Sequence, residues 1–284
     1  MSGVLVRTAA VVCAFAAATA PAGTRVEKNL AYAAPERCRL DVKWPEGVTG
    51  FPTVVWFHGG GLVNGGKHFI RIDDGIAQVA ANYRLLGVDG LKDGEVCIRD
   101  AAAAVAWTLD HIAQYGGDPK KVYVSGMSAG GYLTMMVGMA PQYLKAFGHD
   151  HRELAGLAPV SGQATKHFNV RKFAGGADPQ FLPKIDALAP LAYCAKDLPP
   201  IASICGEPPW EWKCRSEENE LLIASCTALG HGRAWFIRCP LADHGRAFTA
   251  GVPYVEMFVQ GKLPVPVKAT LPAPKGCNET FMLR

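Results

Sequence analysis

One pentapeptide constrains the fold of this chain more than any other feature: residues 126–130 read GMSAG, a G-x-S-x-G sequence. It directly follows an apolar, strand-like run at residues 122–125 and directly precedes a segment with helical patterning. In a strand, sharp turn and helix of this kind, the two glycines allow a close backbone approach that a Cβ would prevent. The sequence therefore predicts a strained turn that exposes the hydroxyl of Ser128 at the end of a sheet.

A second glycine-rich turn follows an earlier predicted strand. Residues 53–57 (TVVWF) read as a buried strand that runs directly into HGGG at residues 58–61. Glycine-rich backbone at a strand end can direct N–H groups at a developing negative charge, and a simple flexible turn is the alternative. The pairing of HGGG with a later G-x-S-x-G is found in α/β-hydrolases of the esterase and lipase kind, which favours catalysis. Gly60, Gly61 and Ala129 are then the candidate oxyanion-binding amides.

Length and composition fit one large α/β domain. The chain has 284 residues, of which 49% are hydrophobic and 19% are charged, enough to bury a sizeable core. Its formal net charge of +4 is mild and its Lys and Arg residues are scattered, which gives nucleic-acid binding no support. The sequence contains no C-x-x-C pair, so we expect no structural zinc, and the predicted chemistry needs no metal and no organic cofactor.

The N-terminal residues have the pattern of a secretory signal peptide. Arg7 precedes an Ala-rich apolar stretch at residues 8–20, and A-x-A cleavage patterns follow at residues 18–20 and 20–22. A buried helix is the alternative, but the stretch lacks a polar face. We therefore expect residues 1–22 to be removed, residues 23–284 to form a single α/β-hydrolase domain, and the protein to be secreted or periplasmic. No segment reaches the length of a membrane span.

The cysteine count is compatible with export. Nine cysteines include Cys13, so removal of the expected signal peptide leaves eight, an even number that permits disulfides without specifying their pairing. Cys205 and Cys239 each end an apolar, strand-like run, and we expect these two to be buried thiols. The eight cysteines are Cys38, Cys97, Cys194, Cys205, Cys214, Cys226, Cys239 and Cys277.

Strand-like and helix-like segments alternate along the chain. Repeated β-then-α order with short connections predicts a mostly parallel sheet covered by helices on both faces. In such a sheet the ligand crevice lies beyond the C-terminal ends of the strands. The predicted strands are residues 53–57, 79–82, 122–125, 154–160, 201–205 and 234–238. The predicted helices are residues 98–115, a segment after the GMSAG turn with one apolar face, and a segment that starts at Ser216, packs through Leu222, Cys226 and Leu229, and ends at Gly230.

Two stretches interrupt this alternation. Residues 161–200 are rich in Pro, Gly, Lys and His, and they predict a short cap excursion rather than a second domain. From about residue 262 the tail is Pro-rich and is expected to lie extended over the surface.

A serine nucleophile needs a general base and an acid that orients it. In the α/β-hydrolase fold the triad follows the chain order serine, acid, histidine, and the histidine lies in the loop after the last strand. His244, in Asp243-His244-Gly245, comes shortly after the last predicted strand and is the candidate base. The acid is expected in the loop after residues 201–205, which reads GEPPWEW and offers Glu207 and Glu211. Glu207 is close enough to the strand to shape the turn instead. Glu211 lies between two tryptophans that can shield it from water, so Glu211 is the first choice.

The chain resembles secreted α/β-hydrolases of the carboxylesterase and carbohydrate-esterase type, including bacterial acetyl and feruloyl esterases. The resemblance runs from about Asp41 to Phe248 and rests on VVWFHGGG, ANYRL, the run that ends in VSGMSAGGYL, PVSGQ, and the block from GEPPWEW to DHG. In similar proteins the triad acid often lies two or three positions further into this loop than Glu207, which also points to Glu211, although many carry Asp there. The resemblance implies hydrolysis of short-acyl or carbohydrate-linked esters through an acyl-enzyme.

Three further residues are candidates for contact with the substrate. Trp210, Trp212 and His167 could contact the substrate, whereas simple packing for the tryptophans and a solvated surface position for His167 are the alternatives. The expected partner is a small-molecule or carbohydrate ester. An amidase or peptidase of the same fold, and a non-catalytic hydrolase-fold binding module, are the competing functions.

Overall fold

A single mixed sheet runs through the part of the chain that the computed structural model describes, residues 23–264. Its strands are β1 (Thr24–Ala31), β2 (Arg39–Pro45), β3 (Phe51–Phe57), β4 (Ala77–Ala81), β5 (Gly117–Met127), β6 (Gly156–Val160), β7 (Ile201–Gly206) and β8 (Ala234–Cys239). They are ordered β1-β2-β4-β3-β5-β6-β7-β8. All pairs from β4 to β8 are parallel, whereas β1 and β2 add an antiparallel edge.

The six predicted strands are β3 to β8, but β1 and β2 were not predicted. Each residue of β1 except Leu30 is exposed, and β1 pairs only with β2, so it carries none of the apolar signal of an interior strand. Cross-strand hydrogen bonds hold this edge in place. An ion pair of 2.5 Å between Lys67 and the nearly buried Asp41 of β2 also ties it to the loop after β3.

Helices cover both faces of the sheet, as expected of an α/β-hydrolase. The helices are α1 (Glu95–His111), α2 (Ala129–Met139), α3 (Pro141–Lys145), α4 (Phe168–Phe173), α5 (Arg215–Ala228) and α6 (Arg246–Val259). The apolar residues of α1, α2 and α5 share one buried cluster with one face of the sheet. Those of α6 pack on the opposite face. The strands between these layers are consequently buried on both sides.

Two helical predictions need correction. The helix expected to start at Ser216 starts one residue earlier, at Arg215, and Ser216 is buried in its first turn. Leu229 is 55% exposed and does not belong to its apolar face, because the helix has already ended at Ala228. In addition, α2 is buried all round rather than on one face, since it packs between the sheet, α1 and the excursion after β6.

The excursion at residues 161–200 is short and adds no strand to the sheet. It contains α4 and a 3₁₀ turn, Pro190–Tyr193, and it returns directly to β7. In residues 23–264 no helix combines the length and apolarity needed to cross a bilayer. The expected signal peptide, most of the Pro-rich tail, Cys13 and Cys277 lie outside the described residues.

The seven cysteines of the described part of the chain are free thiols. Cys205 and Cys239 are fully buried, which confirms their expected interior position.

The turn after β5 crosses the end of β3 at very short range. A Cβ on Gly126 would lie 2.6 Å from the carbonyl carbon of Gly130 and 2.7 Å from the carbonyl oxygen of Phe57. A Cβ on Gly130 would overlap the same Phe57 carbonyl. Because all of these neighbours are backbone atoms, none can move aside as a side chain could. The two glycines of G-x-S-x-G therefore set the distance between β5 and the end of β3.

We predict that Gly126→Ala destabilises the fold by about 1–3 kcal/mol or more, because the new methyl group overpacks a backbone contact. Gly232→Ala is the matched control, since a Cβ there meets nothing within 4 Å and the free energy of unfolding should change by less than about 0.5 kcal/mol. Guanidinium unfolding curves measure both. Equal stability of the two variants would contradict the packing assigned to this crossing.

Candidate active site

Ser128 occupies a strained turn between β5 and α2. Its backbone angles, φ 56° and ψ −112°, lie outside the regions that a non-glycine residue ordinarily adopts. Its amide donates a 2.8 Å hydrogen bond to the carbonyl of Val160, the last residue of β6, which holds the turn against the sheet. Ser128 is half-buried, so its hydroxyl remains accessible at the C-terminal edge of the strands.

Three side chains that are far apart in sequence meet at this edge. The Nε2 atom of His244 lies 2.9 Å from the hydroxyl oxygen of Ser128, and its Nδ1 atom lies 2.7 Å from the Oε1 atom of Glu211. A carboxylate only accepts hydrogen bonds, so Nδ1 carries the proton and Nε2 of the neutral ring can accept one. The arrangement therefore leaves the imidazole able to take the hydroxyl proton of Ser128.

Glu211 is buried, and four donors satisfy its carboxylate. Besides His244, these are the hydroxyl of Ser161 at 2.6 Å, the amide of Gly206 at 2.9 Å and the amide of Trp212 at 2.7 Å. Burial alone would raise the pKa of Glu211, but the hydrogen bonds from His244 and Ser161 outweigh it and hold the pKa below its ordinary value. Glu211 is accordingly ionised at neutral pH and can stabilise a positively charged imidazole.

Glu207 has a different set of contacts. Its Oε2 atom accepts a 2.9 Å hydrogen bond from the amide of Leu241, and its backbone carbonyl accepts hydrogen bonds from the amides of Trp210 and Glu211. These contacts join the turn after β7 to the turn after β8. The structure does not bring the Glu207 side chain into hydrogen-bond contact with His244, and it fits the turn-shaping role considered for it.

The first part of the HGGG loop is fixed by an aromatic pair. The ring of His58 is buried and stacks on Tyr83 with 4.3 Å between ring centroids. Burial lowers the pKa of His58 to about 4, so the ring is neutral near pH 7. The Tyr83 hydroxyl donates to the carbonyl of His58 at 2.9 Å, and the Gly59 carbonyl lies 2.7 Å from Nδ1 of His58.

The carbonyls of the next two glycines also accept hydrogen bonds. The carbonyl of Gly60 accepts hydrogen bonds from the amides of Val63 and Asn64, both at 3.1 Å. The carbonyl of Gly61 accepts one from the side-chain amide of Asn169 at 2.6 Å. Asn169 belongs to α4, so this contact joins the cap excursion to the loop. In a trans peptide the N–H points away from the preceding carbonyl. The carbonyls held at residues 59 and 60 therefore set the directions of the Gly60 and Gly61 amides.

Three amides near Ser128 have no internal partner. Within residues 23–264, the N–H groups of Gly60, Gly61 and Ala129 donate to no protein group. Ala129 is the first residue of α2, where the helix dipole is positive. The HGGG loop lies against the turn that carries Ser128, as a Cβ built on Gly59 would be 3.5 Å from the Cβ of Ser128. This arrangement can accommodate an anionic oxygen beside the serine.

An open cleft of about 560 Å³ begins at His244, and both predicted tryptophans line it. The Trp212 ring lies 5.4 Å from the His244 ring and packs edge-on against Phe168 and Phe181. The side chain of Trp210 is 51% exposed. A substrate could therefore meet Trp210 directly, whereas Trp212 mainly forms the wall beside the imidazole.

The prediction for His167 needs correction. Its ring is 1% exposed, so it neither sits in solvent nor faces the cleft surface. It lies just before α4, where its Nδ1 atom accepts a hydrogen bond from the amide of Asn169 at 3.2 Å, and it stacks on Phe168 with 4.5 Å between centroids. Burial lowers the pKa of His167 well below the ordinary value. The solvated surface position is therefore wrong for His167, whereas its contact with substrate stays a prediction.

Sequence reasoning missed three supporting residues. Tyr83 and Ser161 lie in the ANYRL and PVSGQ stretches, so the motifs contained them without showing what they contact. Asn169 lies in the irregular excursion and carries no sequence signal of its own. In the described residues 23–264, no cluster of three or more His, Cys, Asp or Glu side chains is arranged to hold a metal ion.

Comparison with known sequences gives partial matches to esterases. Residues 40–156 match the family described as BD-FAE. Phenmedipham hydrolase from Pseudarthrobacter oxydans is 32% identical over 123 residues, which are 39% of this chain and 24% of that protein. Carboxylesterase 1F from Mus musculus is 34% identical over 128 residues, 40% of this chain and 22% of that protein. The chain thus spans about a quarter of the length of these curated relatives.

Solved structures match over most of the chain. A truncated carbohydrate esterase from gut microbiota superposes with a TM-score of 0.69 at 18% identity, covering 86% of this chain and 97% of that one. Propionate-bound esterase 2 from Thermogutta terrifontis superposes with a TM-score of 0.65 at 21% identity, and the match covers 87% of this chain and 97% of that one. Together with the order of the strands, the solved structures show that the chain has the α/β-hydrolase fold, and part of its sequence is similar to esterases.

Proposed function

We propose that this chain is a serine hydrolase that cleaves carboxylic esters through a covalent acyl-enzyme. The observation that carries the proposal is the continuous hydrogen-bonded series from Glu211 through His244 to Ser128, beside three amides without an internal partner. One edge of the sheet thus brings together a nucleophile, its base, an orienting acid and amides that can bind an anion. A binding module would not need this combination.

In the first half of the reaction, the serine displaces the alcohol. The Ser128 oxygen attacks the ester carbonyl carbon while its proton passes to Nε2 of His244, and the carbonyl oxygen becomes anionic. When the C–O bond to the alcohol breaks, His244 returns the proton to the departing oxygen. The acyl group is left on Ser128, and Glu211 stabilises the imidazolium while it exists.

In the second half, water replaces the serine. His244 removes a proton from a water molecule that attacks the acyl carbon, and the same proton then goes to the Ser128 oxygen as the acid leaves. The amides of Gly60, Gly61 and Ala129 would hold the oxyanion in both halves. Removing one such donor typically costs roughly 3–4 kcal/mol of barrier, so the direction of these amides matters greatly for rate.

The proposed substrates are short-acyl or carbohydrate-linked esters. Two observations support this class: the cleft beside His244 is open to solvent, and an exposed indole, Trp210, stands at its side. Among the structural neighbours, one is described as a carbohydrate esterase and another as an esterase bound to propionate. An amidase or peptidase of the same fold is the alternative to be tested.

Ester specificity provides the direct test. We expect hydrolysis of nitrophenyl acetate and butyrate and of acetylated or feruloylated oligosaccharides, with octanoate esters poorer. Ser128→Ala should lower kcat by about ten-thousandfold or more while the protein stays folded. Absence of turnover by the folded wild-type protein, or cleavage of anilides in preference to all esters, would contradict the proposal. A preference for octanoate would contradict the short-acyl class alone.

The two glutamates of the loop after β7 form a matched pair of variants. Glu211→Gln should lower kcat by about a hundredfold to ten-thousandfold, because it removes the charge that stabilises the imidazolium. Glu207→Gln keeps an acceptor for the Leu241 amide and should keep kcat within about threefold. Steady-state kinetics on nitrophenyl acetate measure both. Loss of turnover in the Glu207 variant alone would show that the acid is wrongly assigned.

Asn169 is expected to act as a positioning residue for the oxyanion loop. Asn169→Asp keeps the shape but replaces the donor to the Gly61 carbonyl by a negative charge, which repels that carbonyl and a nearby oxyanion, so we expect kcat to fall by about tenfold to a hundredfold with KM within about threefold. Affinity for a boronic acid that mimics the tetrahedral intermediate should fall in parallel. Asn29→Asp, an identical change on the exposed edge strand, is the control. Equal kcat in both variants would remove Asn169 from this role.

A further inference from the structure

A second cavity lies at the end of the sheet opposite the candidate active site. Its volume is about 710 Å³, and it is lined by the first half of β5 and by the segments that lead into β6, β7 and β8. The candidate catalytic groups follow the other ends of β5, β7 and β8. β8 alone has six residues, so the two sites are about 20 Å apart.

The lining of this cavity is strongly basic. Four cations, Lys120, Arg152, Lys196 and Arg233, face it together with a single acid, Asp197. Arg152 is partly neutralised, since it pairs with Asp150 and lies 3.7 Å from Asp197. Within the described chain, the other three cations form no ion pair, and all three are exposed. Like charges gathered around a concave surface repel one another and attract an anionic ligand.

Hydrogen bonds fix the backbone of the segments before β7 and β8, which carry Lys196 and Arg233. His231 is buried beneath the cavity, and its Nδ1 atom donates to the carbonyl of Lys196 at 2.9 Å. The carbonyl of Arg233 accepts the amide of Ile201 at 2.9 Å, which ties the same turn to the start of β7. The positions from which Lys196 and Arg233 extend are therefore fixed, and binding an anion need order only their side chains.

An aromatic depression continues the basic cavity. It has a volume of about 190 Å³ and shares Tyr123 and Arg233 with the larger cavity, and it is also lined by Trp235, Phe258, Gly261 and Leu263. The Tyr123 and Trp235 rings each pack edge-on against Phe258 with 5.7 Å between centroids. The half-exposed rings of Tyr123 and Trp235 therefore lie beside the exposed cations Lys120, Lys196 and Arg233. Together, these five residues define a groove that combines apolar ring surface with positive charge.

We infer that this groove binds a polyanionic saccharide, a chain of hydroxylated rings that carry carboxylate or sulfate groups. The apolar faces of sugar rings fit against Tyr123 and Trp235, while the acidic groups meet Lys120, Lys196 and Arg233. A lone small anion would use the cations but not the rings. The inference is independent of the proposed esterase activity, because no residue of the groove belongs to the candidate active site.

Calorimetric titration of the full chain tests the inference with four ligands. These are a galacturonate tetramer, a sulfated oligosaccharide of the same length, a neutral oligosaccharide of the same length, and inorganic phosphate. We expect one or both acidic oligomers to bind, with affinity falling as salt is raised. The double variant Lys196→Glu/Arg233→Glu should weaken that binding by about tenfold or more, whereas Lys28→Glu on the distant edge strand should not.

The circular dichroism spectrum and the thermal unfolding midpoint of the double variant should match those of the wild-type protein, which verifies that it folds. Whichever acidic oligomer binds more tightly identifies the preferred acidic group. Failure of both acidic oligomers to bind, equal binding of the neutral oligomer, phosphate affinity equal to that of the oligomers, or undiminished binding by the double variant would each overturn the inference.

Discussion

The contact on which the rest of the structure depends is the crossing of the β5 turn over the end of β3. Gly126 and Gly130 bring the two backbones to a distance at which no Cβ fits. This crossing places the HGGG loop, which continues β3, directly beside Ser128. Ser128 has its strained conformation between these two glycines, so the position of its hydroxyl and the position of the amides proposed to bind the oxyanion both depend on this crossing.

A second constraint is the buried negative charge of Glu211 in the candidate active site. A buried carboxylate is costly unless donors surround it, and Glu211 is met by four. Those donors come from the residue after β6, from the end of β7 and the loop after it, and from the turn after β8, so the acid is buried where these parallel strands end together. The fold and the ionised state of Glu211 thus depend on each other, and His244 is oriented by the result.

The parts of the site that the sequence could predict are those fixed by local backbone chemistry. The GMSAG turn, the HGGG loop and the position of His244 depend on short segments whose geometry follows from their own residues. The tryptophans on either side of Glu211 indicate shielding from water, and Glu211, not Glu207, is the buried one of the two glutamates. Burial of His167 and the contact of Asn169 with Gly61 arise only when distant segments pack, so neither has a local signal. The exposed strand β1 went unpredicted because it buries almost nothing.

The central claim is that this corner is already arranged for an acyl-transfer transition state before any substrate arrives. A crystal structure of the protein after reaction with a fluorophosphonate tests it most directly, because the phosphonyl group mimics the tetrahedral intermediate. The account predicts a single adduct on Ser128 with the phosphonyl oxygen about 3 Å from the amides of Gly60, Gly61 and Ala129. An adduct on another residue, no adduct in the folded protein, or a phosphonyl oxygen directed into solvent would contradict it.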